Sequence, residues 1–119
     1  MTQIDRDTDA LVGDWLTINE TAQALGVSPN RIKQLINDHK LLGVRRSGVW
    51  SIPAVFIADG EIVKGLSGTL TVLADCGFTE DEALRWLFTA DDTLPGAPID
   101  ALIANRGTEV RRRAQALAL

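Results

Sequence analysis

A chain of 119 residues with 45% apolar content is long enough for one domain, or for a small module with a helical extension, built on a real core. The net charge of −4 argues against a globally basic nucleic-acid binder, and the single cysteine, Cys76, excludes an internal disulfide and reads as a small buried residue of a reducing compartment. No apolar run approaches the roughly 18 to 20 residues of a membrane span, and the acidic N-terminus is the wrong start for a secretory signal, so a cytoplasmic protein without membrane insertion is expected.

The charge is unevenly spread. Residues 1–14 hold four Asp against Arg6, whereas residues 15–58 carry Arg31, Lys33, Lys40, Arg45 and Arg46 against Glu20 and Asp38, a local balance of +3. Residues 61–119 hold nine acids and six bases. A local basic patch can steer a polyanion even on an acidic molecule.

In chain order, "MTQIDRDTDALVG" has no sustained apolar period. Residues 1–14 read as a flexible acidic arm in which Thr2 and Thr8 are exposed hydroxyls and Leu11 and Val12 reach the folded part. Next, Thr17 and Glu20 have capping-box spacing, Ile18, Ala22 and Leu25 form a stripe, and Gly26 ends the helix. Ser28 is an N-cap and Pro29 suits a first turn, with Ile32, Leu35 and Ile36 facing inward. Two short helices joined by "GVS" make a helix-turn-helix.

The second helix, 29–38, carries the chemistry. Asn30, Lys33, Gln34 and Asn37 lie away from the apolar stripe, with Arg31 on its flank. Such side chains donate to base edges and phosphates, a helix fits the major groove, and the amides near Ser28 suit a phosphate oxygen. An ordinary solvated face has the same composition. Lys40 follows the helix. "LLGVRRSGVWSIP" then reads as strand, turn and strand, with Ser47 and Gly48 at the turn and Arg45 and Arg46 beside the tip, in reach of phosphates or the minor groove. Alternation places one arginine on each face, and Trp50 packs the hairpin onto the helices.

Pro53 begins a short helix with Ala54, Val55 and Phe56, and Asp59-Gly60 marks a turn beside which Ile62 and Val63 close a small sheet. The module boundary falls here, giving a winged module at 15–60 and a helical region at 61–119. The latter shows Leu70, Leu73 and Ala74 before Gly77, then Thr79 and Glu82 at capping-box spacing before Leu84, Leu87 and Phe88. A loop with two prolines leads to a short helix, "PIDALIAN". In the last helix Val110, Ala114 and Leu117 share a face, and Arg111, Arg112 and Arg113 are solvated or paired with nearby acids.

Catalysis has no support in the sequence. His39 follows a helix end with no pattern linking it to Cys76 or a carboxylate, no Cys/His cluster has zinc spacing, and no glycine-rich loop has the setting of a phosphate cradle. The expectation is a non-enzyme with no metal and no cofactor.

"LLGVRRSGVWSIPAVFI" and "VKGLSGTLTVLADCGFTEDEALRWLF", with the preceding helix pair, resemble an actinobacterial family of small winged helix-turn-helix DNA-binding proteins. The resemblance covers roughly residues 15–118. It implies a mainly α fold with a small β-wing, a first module similar to MerR-type and excisionase-type domains, and a C-terminal helical part. Helix 29–38 would be the recognition helix and Arg45–Gly48 the wing tip. The mycobacterial member is described as a substrate of a serine/threonine kinase whose target lies in the N-terminal arm; carried here, the phosphosite falls on Thr8. The functional expectation is a transcriptional regulator on double-stranded DNA, touching it through Ser28, Asn30, Arg31, Lys33, Gln34, Asn37, Lys40, Arg45, Arg46, Ser47 and Gly48. A homodimer or a repeated site would supplement the limited affinity of one small module. The alternative is a protein-interaction adaptor that uses the acidic C-terminal region.

Overall fold

The computed structural model describes residues 4–94 and 96–117. In chain order these form α1 (Arg6–Val12), β1 (Trp15–Thr17), α2 (Ile18–Leu25), α3 (Pro29–Asn37), β2 (Val44–Arg46), β3 (Val49–Pro53), a 3-10 turn (Ala54–Phe56), β4 (Ile57–Ala58), β5 (Glu61–Ile62), α4 (Leu66–Asp75), α5 (Glu80–Phe88), α6 (Pro98–Ile103) and α7 (Gly107–Ala116). The fold is mainly α with a small β-wing, a winged helix-turn-helix followed by a helical region.

Local chemistry sets most element starts. The Thr17 hydroxyl accepts from the Glu20 N–H at 3.0 Å, and the Glu20 carboxylate accepts from the Thr17 N–H at 2.8 Å. Thr79 and Glu82 repeat this at α5, at 3.2 and 2.9 Å. Each pair satisfies donors that a helix start otherwise leaves without partners. Ser28 caps α3 by accepting from the Arg31 N–H at 3.1 Å, with Pro29 as the first helical residue. At the far end of α4, Phe78 N–H reaches the Leu73 carbonyl at 3.0 Å, closing the turn before α5.

The wing is a three-stranded antiparallel sheet in the order β1-β3-β2. In it Arg46 faces Val49 across a two-residue turn in which Ser47 (φ 52°) and Gly48 (φ 81°) are both left-handed. This backbone matches the twist of the flanking strands, and Gly48 adopts it without steric cost. The strand β1 has no local signature. It pairs Trp15 with Pro53 and Thr17 with Ser51, and so closes the wing from outside the hairpin. A second, two-stranded sheet, β4 with β5, turns at Asp59-Gly60.

One buried cluster runs through both halves, from Ile32, Val44, Ile52 and Phe56 to Leu66, Leu73, Leu84, Leu102 and Val110. Burying each such side chain is worth about 1.5–3 kcal/mol. In the C-terminal half α4 packs along α7. The approach is close at Gly65, where an added Cβ would stand 3.2 Å from the Gly107 Cα. Leu117, expected on the inner face of α7, is its C-cap and is 42% exposed, whereas Val110 and Ala114 are buried. Trp50, with Ile36, Leu70, Ala74 and Phe78, lines a cavity of about 360 Å³ between the wing and the C-terminal helices.

The N-terminus departs most from expectation. Residues 6–12 are a helix, not a flexible arm. Asp5 caps it by accepting from the Asp7 N–H at 2.8 Å, and Gly13 ends it. Ile4, Thr8 and Val12, four residues apart, all point inward, with Thr8 fully buried. The Thr8 hydroxyl accepts from Arg85 Nε at 2.8 Å, and Arg85 Nη2 pairs with Asp5 at 3.2 Å. Thr8 is therefore not the exposed hydroxyl expected of a phosphorylation site. Thr2, and Pro95 of the proline-bearing loop, lie outside the described residues.

Candidate nucleic-acid interface

The helix α3 sorts its side chains cleanly. Ile32 is fully buried and Leu35 nearly so, which fixes the helix against α2. Asn30, Arg31, Lys33, Gln34 and Asn37 are all exposed. Arg31 Nη1 donates to Gln34 Oε1 at 3.3 Å, a contact on the helix surface that a base or phosphate can replace. Ser28 is exposed while its hydroxyl holds the cap, and Lys40 is exposed just beyond the helix end. His39 adopts φ 59° as the chain leaves α3, which makes it a turn residue at the surface. Asp38 occupies the C-cap, beyond the last polar residue of α3.

The wing separates its two arginines. By register, Arg45 and Trp50 share one face with Ile52 and Leu16, and Arg46 shares the other with Val49, Ser51, Trp15 and Thr17. Arg45 is exposed. Arg46 is not free: its Nε donates to Asp9 Oδ2 at 2.9 Å, and its guanidinium carbon lies 4.9 Å from the centroid of the Trp15 ring. The Trp15 indole N–H donates to the other oxygen of the same carboxylate at 3.1 Å. The hydrogen bond from Arg46 is the main reason the Asp9 carboxyl is held below its usual range; the charge of Arg46 and the Trp15 N–H add to it, against an opposing effect of burial.

Ser47 and Gly48 sit exposed at the tip. The structure thus leaves the polar residues of α3, Lys40, Arg45 and the turn exposed, and sets Arg46 in a three-way contact with Asp9 of α1 and Trp15. Asp9 and Trp15 are parts of this site that the sequence reading missed. The signal for them was the spacing of Ile4, Thr8 and Val12, which places Asp9 on the rim of a packed helix. The charge picture shifts accordingly. With α1 seated on the wing, residues 4–58 hold six acids and six bases. Attraction for a polyanion then depends on which cations face outward rather than on a net excess.

In the C-terminal region Glu109 takes Arg106 at 2.8 Å and Arg113 at 3.9 Å, while Arg111 and Arg112 stay exposed. Among the described residues there is no cluster of His, Cys, Asp and Glu that could hold a metal ion, and no helix long and apolar enough to cross a membrane.

A capped helix-turn-helix with a β-hairpin wing, joined to a bundle of short helices, defines a winged helix-turn-helix protein of two family modules. Residues 3–57 match the family model described as "DNA-binding protein Rv2175c, wHTH domain", and residues 63–118 match that of the "Rv2175c C-terminal domain of unknown function". The protein named "DNA-binding protein Rv2175c" from Mycobacterium tuberculosis is 41% identical, over 82% of this chain and 75% of that protein. The NMR structure of Rv2175c superimposes with a TM-score of 0.82 at 36% identity, covering 98% of this chain and 85% of that one. The chain belongs to the Rv2175c family of winged helix-turn-helix proteins.

Proposed function

We propose that this chain binds double-stranded DNA and acts in transcriptional regulation. In this reading α3 enters the major groove, where Asn30, Lys33, Gln34 and Asn37 meet base edges, and Arg31 and Lys40 meet phosphates. The hairpin lies against the adjacent backbone with Arg45, Ser47 and Gly48. The observation that carries the reading is the sorting of α3: two apolar anchors hold it in place while five polar side chains are exposed on its outer side. The relative's printed name, a DNA-binding protein, supports the same reading.

One module of this size makes few contacts, so two copies on a repeated site fit the affinity that regulation needs. A kinase acting on Thr8 would have to unseat α1 first, because the hydroxyl is buried against Arg85. The net charge of −4 favours the adaptor reading, in which the acidic C-terminal region receives another protein.

Duplex titration at about 50 and 200 mM salt separates the two readings. A DNA binder weakens steeply with salt. Arg45→Ala should cost roughly three- to tenfold in affinity and flatten the salt dependence by about one phosphate, with the fold intact by circular dichroism. Affinity that ignores both salt and Arg45→Ala would refute the wing contact.

A further inference from the structure

Arg46 stands next to the turn of the wing, yet its partner is a carboxylate from the N-terminal helix. Asp9 accepts from Arg46 Nε with one oxygen and from the Trp15 indole N–H with the other. A phosphate oxygen makes the same kind of contact with a guanidinium. The carboxylate is not delivered by a loose tail. The Ile4 N–H bonds the Arg45 carbonyl at 2.9 Å, Asp5 and Thr8 are held by Arg85, and Val12 is buried. The helix α1 is thus fixed to the wing at one end and to α5 along its length. Arg46 and Asp9 remain 35% and 32% exposed, so the pair is open to a competitor from solution. A partly exposed ion pair is also weak enough to be displaced.

We propose that Asp9 is an internal surrogate for a DNA phosphate at Arg46, so that α1 belongs to the DNA-binding surface and lowers its affinity. The inference rests on the wing reading above. When a duplex arrives, its backbone takes over the Arg46 guanidinium, and Asp9 gives up the Arg46 contact. The two arginines then play different roles: Arg45 is available to DNA at once, and Arg46 only against the competition of Asp9. Trp15 keeps the Arg46 side chain stacked through the exchange.

The test uses the full chain and a duplex at two salt concentrations. Asp9→Asn keeps an acceptor for Trp15 and removes the charge. It should bind about fivefold tighter at low salt, with a salt dependence steeper by about one phosphate. Asp9→Glu restores the charge and should return affinity toward wild type. In an Arg46→Gln background, Asp9→Asn should bring no gain. In the wild type, the Trp15 indole N–H resonance should shift on adding duplex, because its carboxylate partner is disturbed.

Affinity unchanged or weakened in a folded Asp9→Asn variant would overturn the proposal. So would a gain that persists in the Arg46→Gln background, since that would be general repulsion. Failure of the wing reading is a separate result: it shows as insensitivity to Arg45→Ala, whatever Asp9→Asn does.

Discussion

The buried Thr8–Arg85 contact allows a prediction with a worked magnitude. Arg85 is half-exposed and bonds the Thr8 hydroxyl at 2.8 Å, Asp5 at 3.2 Å and Asp81 at 3.3 Å. Arg85→Ala removes two partly exposed ion pairs, each worth up to about 1 kcal/mol. It also leaves a fully buried hydroxyl without its donor, which costs about 1–3 kcal/mol. The expected loss is about 2–3 kcal/mol. Thr8→Val instead removes the hydroxyl and leaves Arg85 paired with its acids, Nε with Asp81 included, at a cost below about 1 kcal/mol, because no buried group is left without a partner. In the Thr8→Val background, Arg85→Ala should then cost only about 1 kcal/mol. Urea unfolding followed by tryptophan fluorescence measures all four corners of the cycle. Additivity within about 0.5 kcal/mol would refute the claim that the buried hydroxyl dominates.

Ile32→Ala, at a fully buried position of α3, should cost about 2–4 kcal/mol by the same unfolding measurement, and a loss below about 1 would mean α3 is not anchored there. Gly48→Ala places a side chain at φ 81° with nothing within 4 Å, so backbone strain alone should cost about 1 kcal/mol, read as a lower Tm with the same fold. Asp9 makes stability pH-dependent in one direction. Its carboxyl is held low by Arg46, so its contribution is complete above the ordinary carboxylate value and fades as pH falls through the lower folded-state value. The stability difference between wild type and Asp9→Asn, at most about 1 kcal/mol near neutrality, should vanish in acid; a difference independent of pH would contradict the pairing.

Features written in a few neighbouring residues were legible in the sequence. Thr17 with Glu20, Ser28 with Pro29, Ser47 with Gly48, and Thr79 with Glu82 each encode a cap or turn through bonds spanning four residues or fewer, and each stands where it was read. The elements that depend on distant partners were not. Strand β1 exists because Thr17 and Trp15 meet Ser51 and Pro53 across the whole helix-turn-helix. Helix α1 is seven residues long, too short to be stable alone, and forms because Arg85 and the core receive it. Its inward face also reads as Ile, Thr, Val, and the central hydroxyl hides the apolar period.

The same distinction holds for the two wing arginines, which alternation alone assigns to opposite faces. Adjacent residues on a strand point to opposite faces, so "RR" in a regular hairpin sends its two guanidiniums into different surroundings. Sequence shows that one must turn away from the other. It does not show what each one meets. In the folded chain Arg45 meets solvent and Arg46 meets a carboxylate thirty-seven positions earlier. Counting charges along residues 15–58 therefore overstates the free positive charge, because α1 brings Asp9 onto one of the counted cations, Arg46. Under the proposal that Asp9 stands in for a phosphate at Arg46, attraction to a duplex depends on the seating of α1. Any change that loosens it, Arg85→Ala included, should cost stability and raise DNA affinity together. A variant in which stability and affinity fall together would show instead that α1 supports the wing rather than competing with its ligand.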